Sequence, residues 1–168
     1  MKIYRSIGFF LFALLSLRSI GQNIADAKIR NLHGTMVPFS TAVQKDSLIL
    51  VCFWATTSDA SINELNAINA NYEKWKAEVP FRMMAVSIDE GKTANKVRPT
   101  VNMNEWKFDV FVDIQGELRK ALGSNNLPQC MIVKKFELVY EQSGYEAGSE
   151  NYLIQKLRSL GAGGTKKK

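Results

Sequence analysis

The chain has 168 residues, 46% of them apolar, enough for one domain with a two- or three-layer core; nothing points to disorder or a second domain. Its net charge of +6 suggests nucleic acid only until it is divided along the chain. Lys2, Arg5, Arg18, Lys166, Lys167 and Lys168 lie at the two ends, and the 16 basic residues between them face 16 acidic ones, so no basic stripe is evident and nucleic acid is not an expected partner.

Residues 1–21 open with Lys2 and Arg5, continue as an apolar stretch from Ile7 to Leu17, and carry small residues at Ser19 and Gly21. This is the pattern of a secretory signal peptide. The apolar stretch is too short to span a bilayer stably, and Arg18 argues against a retained anchor. Cleavage is expected between Gly21 and Gln22, leaving a periplasmic or secreted domain over 22–162 with no membrane association. No cysteine ends the apolar stretch, so a lipid-anchored form is not expected. Residues 163–168 read as a solvated, disordered basic tail.

The elements of the body alternate, as in an α/β domain. Ala27 to Ser40 alternates in short pieces around His33 and Gly34, as a leading hairpin does. Ser47 to Trp54 (SLILVCFW) is an apolar run between turn residues, suited to a central strand covered on both faces. From Ser58 the period changes: Ile62, Leu65, Ile68, Tyr72, Trp75 and Val79 form one helical face, which Pro80 ends. Trp54, Tyr72 and Trp75 fall on core faces and read as packing. Phe81 to Ile88 is a second buried strand, followed by a weaker helical segment, Lys92 to Asn104, interrupted by Pro99. Asp109 to Val112 is short and extended, and Gly116 to Gly123 is a short helix ending in glycine. Cys130 to Val133 and Phe136 to Tyr140 form a closing antiparallel hairpin. Ser149 is placed to cap a last helix with Leu153, Leu157 and Leu160 inward and Ile154 beside them.

Only Cys52 and Cys130 carry sulfhydryl chemistry, and in an oxidising compartment two thiols either pair or are buried. One histidine, two strand cysteines and no clustered acids make no convincing metal set. No glycine-rich loop precedes a helix, so neither metal nor nucleotide cofactor is expected.

The order of these elements, with VCFWAT (Val51 to Thr56), VFVDIQGELRKALGSNNLP (Val110 to Pro128) and SGYEAGSENYL (Ser143 to Leu153), resembles thioredoxin-fold thiol:disulfide oxidoreductases of the TlpA/ResA and redoxin type. The likeness covers roughly residues 27 to 160 and implies a central mixed β-sheet flanked by helices. In that family F-W-A-T is normally followed by W-C-x-x-C at the start of the first long helix, where free N–H groups and the helix dipole lower a thiol pKa. Here Thr57 replaces the tryptophan, and Ser58, Asp59, Ala60 and Ser61 replace C-x-x-C. Serine cannot form a mixed disulfide, and the sole histidine, His33, lies in the leading hairpin, so a serine nucleophile is not expected. Ser58 and Asp59 suit a helix start instead.

Pro128 matches the family's cis-proline, which the resemblance places next to the C-x-x-C position with backbone groups that pair with an extended peptide. Thr57, Ser58, Leu127, Pro128 and Gln129 are therefore the expected lining of a peptide groove. The resemblance also puts Cys52 and Cys130 on neighbouring strands beneath that site. Two buried, reduced thiols are expected there, because a disulfide between neighbouring strands demands unusual geometry; the alternative is a structural Cys52–Cys130 disulfide that closes a long loop. These features imply a secreted binding module for an extended peptide or protein client that lacks oxidoreductase activity. The alternative is an atypical oxidoreductase or redoxin using Cys52 and Cys130 or a partner's thiols.

Overall fold

A computed structural model describes residues 23–43 and 48–162; the expected signal peptide and basic tail lie outside them. After a short 3₁₀ turn at Ile24–Asp26 come β1 (Lys28–Asn31), β2 (Met36–Pro38), α1 (Phe39–Ala42), β3 (Leu48–Trp54), α2 (Asp59–Glu78) and β4 (Phe81–Ser87). The chain continues through a second 3₁₀ turn (Thr93–Lys96), α3 (Val97–Asn104), β5 (Asp109–Val112), α4 (Glu117–Leu122), β6 (Gln129–Lys134), β7 (Glu137–Ser143) and α5 (Glu150–Ala162). No helix among the described residues is long and apolar enough to cross a membrane.

The seven strands form one sheet in the order β2-β1-β5-β4-β3-β6-β7. The β3–β4 and β4–β5 pairs are parallel, while β1–β2, β1–β5, β3–β6 and β6–β7 are antiparallel, so the sheet is mixed as expected. Every residue of β3 is buried because both faces are covered. The strand period of two sends Leu48, Leu50, Cys52 and Trp54 toward one core layer, which also holds Leu65, Ile68, Tyr72 and Trp75 of α2 and Leu153, Ile154 and Leu157 of α5. Ile49, Val51 and Phe53 enter the opposite layer with Phe39 of α1 and Leu118 and Leu122 of α4.

Two local expectations are corrected. Pro99 does not interrupt a helix: it lies in the first turn of α3, where a missing N–H costs nothing, and the change of winding falls earlier, between Lys96 and Val97. Ser149 does not cap α5 forward. The chain already coils from Glu146, whose carbonyl accepts from the Ser149 N–H at 2.9 Å, and the Ser149 hydroxyl accepts backward from the Glu146 N–H at 3.3 Å. The short helix α1 had no periodic signal at four residues, yet it buries Phe39 and Ala42.

Candidate functional site

Strand β3 delivers the chain to the end of the sheet at Trp54, and Ala55 to Thr57 turn it into α2. Asp89, just beyond β4, holds this turn. Its carboxylate accepts from the Thr56 N–H at 2.8 Å, the Thr56 hydroxyl at 2.7 Å and the Ser87 hydroxyl at 2.8 Å. The Ser58 N–H donates to the Ala55 carbonyl at 3.0 Å, and the Ile62 N–H closes the first helical bond onto the Ser58 carbonyl at 3.1 Å. Ser58 is the N-cap: its Oγ accepts from the Ser61 N–H at 3.3 Å and lies 2.7 Å from Ser61 Oγ. Asp59 follows in the first turn, the favourable end of the helix dipole for an acid. The two serine hydroxyls thus satisfy each other and the helix start, and neither meets a base.

One turn further along α2 stands Glu64, which sequence reading missed. It is 1% exposed, and its Oε1 has no hydrogen-bond partner among the described residues. Burial, and then the negative charge of Glu150 at the start of α5, push its pKa up to about 8, so the carboxyl is neutral at pH 7. The signal was available: a lone acid three residues after Ser61 and next to Leu65 sits on the inward stripe of the helix.

The antiparallel register of β3 and β6 places Phe53 opposite Gln129 and Cys52 opposite Cys130. It therefore brings the Trp54–Ser58 turn and Leu127–Pro128 to the same end of the sheet. The Leu127–Pro128 peptide bond is cis, and the Pro128 carbonyl accepts from the Gly144 N–H at 2.9 Å. Of the expected groove residues, Thr57 is exposed, Ser58 and Leu127 are half-buried and Pro128 is buried. Gln129 is the fifth of the expected residues. It is buried, and its Oε1 turns inward to accept from the Ser124 hydroxyl at 2.7 Å and the Asn125 N–H at 3.2 Å, which fixes the loop before Pro128.

Cys52 and Cys130 form the disulfide held as the alternative to two buried, reduced thiols. Their Cα atoms lie 4.1 Å apart across the strand pair and their sulfurs are bonded. A directly opposed pair in an antiparallel ladder comes close to this spacing without displacement of either strand. The cystine is sealed, with exposures of 1% and 0%, on the sheet face covered by α2 and α5.

On the other flank of the site Asp113 opens the loop into α4, and its carboxylate accepts from the Arg119 N–H at 2.7 Å. Burial raises its pKa, against backbone N–H groups at the start of α4 that favour the charged form. No group of three or more His, Cys, Asp or Glu able to hold a metal occurs among the described residues.

The AhpC/TSA family model matches residues 20–142, nearly three quarters of the chain. The chain belongs to the AhpC/TSA family. Among solved structures, this AhpC/TSA chain is similar to an uncharacterized thioredoxin-like protein from Porphyromonas gingivalis, with 32% identity and a TM-score of 0.73 over 85% of this chain and 94% of that one. A putative thiol:disulfide interchange protein DsbE from Chlorobium tepidum shares its fold at 18% identity and a TM-score of 0.69, covering 83% and 95% of the two chains. The bacterioferritin comigratory protein of Xanthomonas campestris does so at 13% identity and a TM-score of 0.68, covering 82% and 94%. No curated protein matches the chain. The thioredoxin-like redoxin resemblance read from VCFWAT and the N-x-P segment is thus borne out, together with its α/β fold.

Proposed function

We propose that this chain is an extracytoplasmic thioredoxin-fold module that binds an extended peptide or protein client and has no thiol:disulfide oxidoreductase activity. The observation that carries the reading is the pair Ser58 and Ser61 at the start of α2. The helix end that would stabilise a thiolate carries hydroxyls bonded to each other, and an alcohol cannot attack a disulfide. The only two cysteines are tied together inside the sheet. What remains is a turn with exposed Thr57 beside Leu127 and Pro128, a place where a client backbone can lie without being reduced. The extracytoplasmic location rests on the signal-like first 21 residues and on the likeness to an interchange protein and an exposed lipoprotein thioredoxin from Streptococcus pneumoniae.

A second reading, in which the Cys52–Cys130 cystine is the redox-active group, is favoured by its position beneath the site and opposed by its burial, since exchange needs a thiolate to reach a sulfur. An insulin-reduction assay with dithiothreitol separates the two. The wild-type protein is expected to match the protein-free control, and Ser58→Cys combined with Ser61→Cys to create a new reducible disulfide. Wild-type turnover above that control would overturn the redox-inactive reading. The binding half is tested by calorimetry with unfolded-protein peptides, where micromolar affinity, about −8 kcal/mol, is expected and Pro128→Ala should weaken it.

A further inference from the structure

Strand β7 closes one side of the sheet, and no strand among the described residues pairs with its outer edge. Natural edges of this kind are blunted with lysine, proline or a bulge, because a free row of N–H and C=O groups templates another strand. Here the protection is partial. The register with β6 slips between Ile132 and Val133, so Tyr140 faces Ile132 while Leu138 faces Val133, and Val139 is the extra, bulged residue. Beyond the bulge, Tyr140 to Ser143 run in regular register opposite Ile132, Met131, Cys130 and Gln129, with neither proline nor lysine.

That unguarded half of the edge adjoins a cleft of about 480 Å³ whose walls include Tyr140, Gln142, Tyr145, Glu146 and Tyr152. Tyr152 is 61% exposed although it stands in the first turn of the last helix. The exposed charges beside the edge and cleft are the acids Glu141 and Glu146, while the nearby Lys134 ammonium is taken by the Leu160 carbonyl at 3.2 Å. Tyr140 already shows what its ring accepts: the Lys156 ammonium lies 5.4 Å from its centroid.

We propose that the outer edge of β7 at Tyr140–Ser143 and the adjoining tyrosine cleft are a second docking surface, which takes an extended peptide segment bearing lysine or arginine as an added strand. Main-chain bonds to the free edge hold the segment in line. Its cationic side chains on the cleft face reach Glu146 and the faces of Tyr145 and Tyr152, while the main chain supplies affinity, as in strand addition. This surface is distinct from the one proposed beside Thr57 and Leu127, and the two adjoin where Gly144 donates to the Pro128 carbonyl.

The probe is a capped decapeptide of alternating lysine and valine, titrated into the full ¹⁵N-labelled chain. It is compared with a glutamate-for-lysine version and with a version N-methylated at alternate residues. The lysine peptide is expected to move the amide signals of Tyr140–Ser143 and Tyr145. Tyr152→Ala and Glu146→Gln should each weaken it at least fivefold, the glutamate peptide should bind at least tenfold more weakly, and N-methylation should abolish binding. Equal affinity for the lysine and glutamate peptides, or undiminished binding of the N-methylated one, would overturn the proposal. So would signal changes confined to Thr57, Ser58 and Leu127, which would instead support the first surface alone. Sedimentation showing that the edge is occupied by a second copy of the chain would also overturn it.

Discussion

At Ser58 a hydroxyl stands where the redoxin resemblance places a sulfur, and it serves the local structure. That hydroxyl accepts the Ser61 N–H as a helix cap should. Glu64 is the residue where structure adds most to the sequence, because its burial is bought without a hydrogen-bond partner for Oε1. The folded carboxyl titrates near 8 against an ordinary value of 4.5, so folding favours the protonated form. The linked stability is fully present below pH 4.5 and is lost as the pH rises through 8. Glu64→Gln, which imitates the neutral acid, should flatten that decline. Urea unfolding at pH 4.5 and pH 8.5 is expected to show the variant gaining on the order of 3 kcal/mol over wild type between the two conditions.

Among the elements, α2 carries the most because it both starts at the site and anchors the segment after α3. Asn66 on α2 accepts from the Trp106 indole N–H at 2.7 Å and donates to the Asn104 side chain at 3.0 Å. Asn69 accepts from the Lys107 N–H at 2.9 Å. Trp106 in turn meets Trp54 edge to face with centroids 4.8 Å apart, so a polar clamp on the flank of α2 presses an aromatic pair against the end of β3. Asn66→Ala should leave a buried indole N–H unpaired at a cost of about 1–3 kcal/mol, seen as a lower urea midpoint with unchanged slope. Strands and helices were legible because β3 and α2 announce themselves by period, and the ends of α4 by Gly116 and Gly123. The direction of single polar side chains was not legible. Gln129 and Pro128 are sequence neighbours, yet only the local demand of the Ser124 hydroxyl and Asn125 N–H decides that the glutamine faces inward. Asn66 gave no signal either, since its partners lie 38 and 40 residues away.

At the scale of the molecule, the sheet consists of a parallel centre and an antiparallel closing hairpin that meet along the β3–β6 pair. The Cys52–Cys130 bond crosses that seam and spans 78 residues of sequence. On the chain-entropy view it stabilises the fold by about 4 kcal/mol, which corresponds to roughly 10 °C in melting temperature for a domain of this size. Cys52→Ala with Cys130→Ala should therefore melt about 10 °C lower than wild type by calorimetry. The sequence offers pairing of the two cysteines only as an alternative to reduced thiols, because it depends on their standing directly opposite in register. A shift of one residue in either strand would have left them as ordinary small apolar side chains.

The same bond has a consequence for wear. It encloses every loop between Phe53 and Gln129, including the exposed turn at Glu90, Gly91 and Lys92, within one covalent ring. A protease that clips this turn leaves two fragments still tethered through the floor of the sheet, with β3 and β6 side by side. The nicked molecule keeps the Trp54–Ser58 turn and Leu127–Pro128 at the same end of the sheet. A partial digest by a lysine-specific protease should accordingly run as one band without reductant and as two with it.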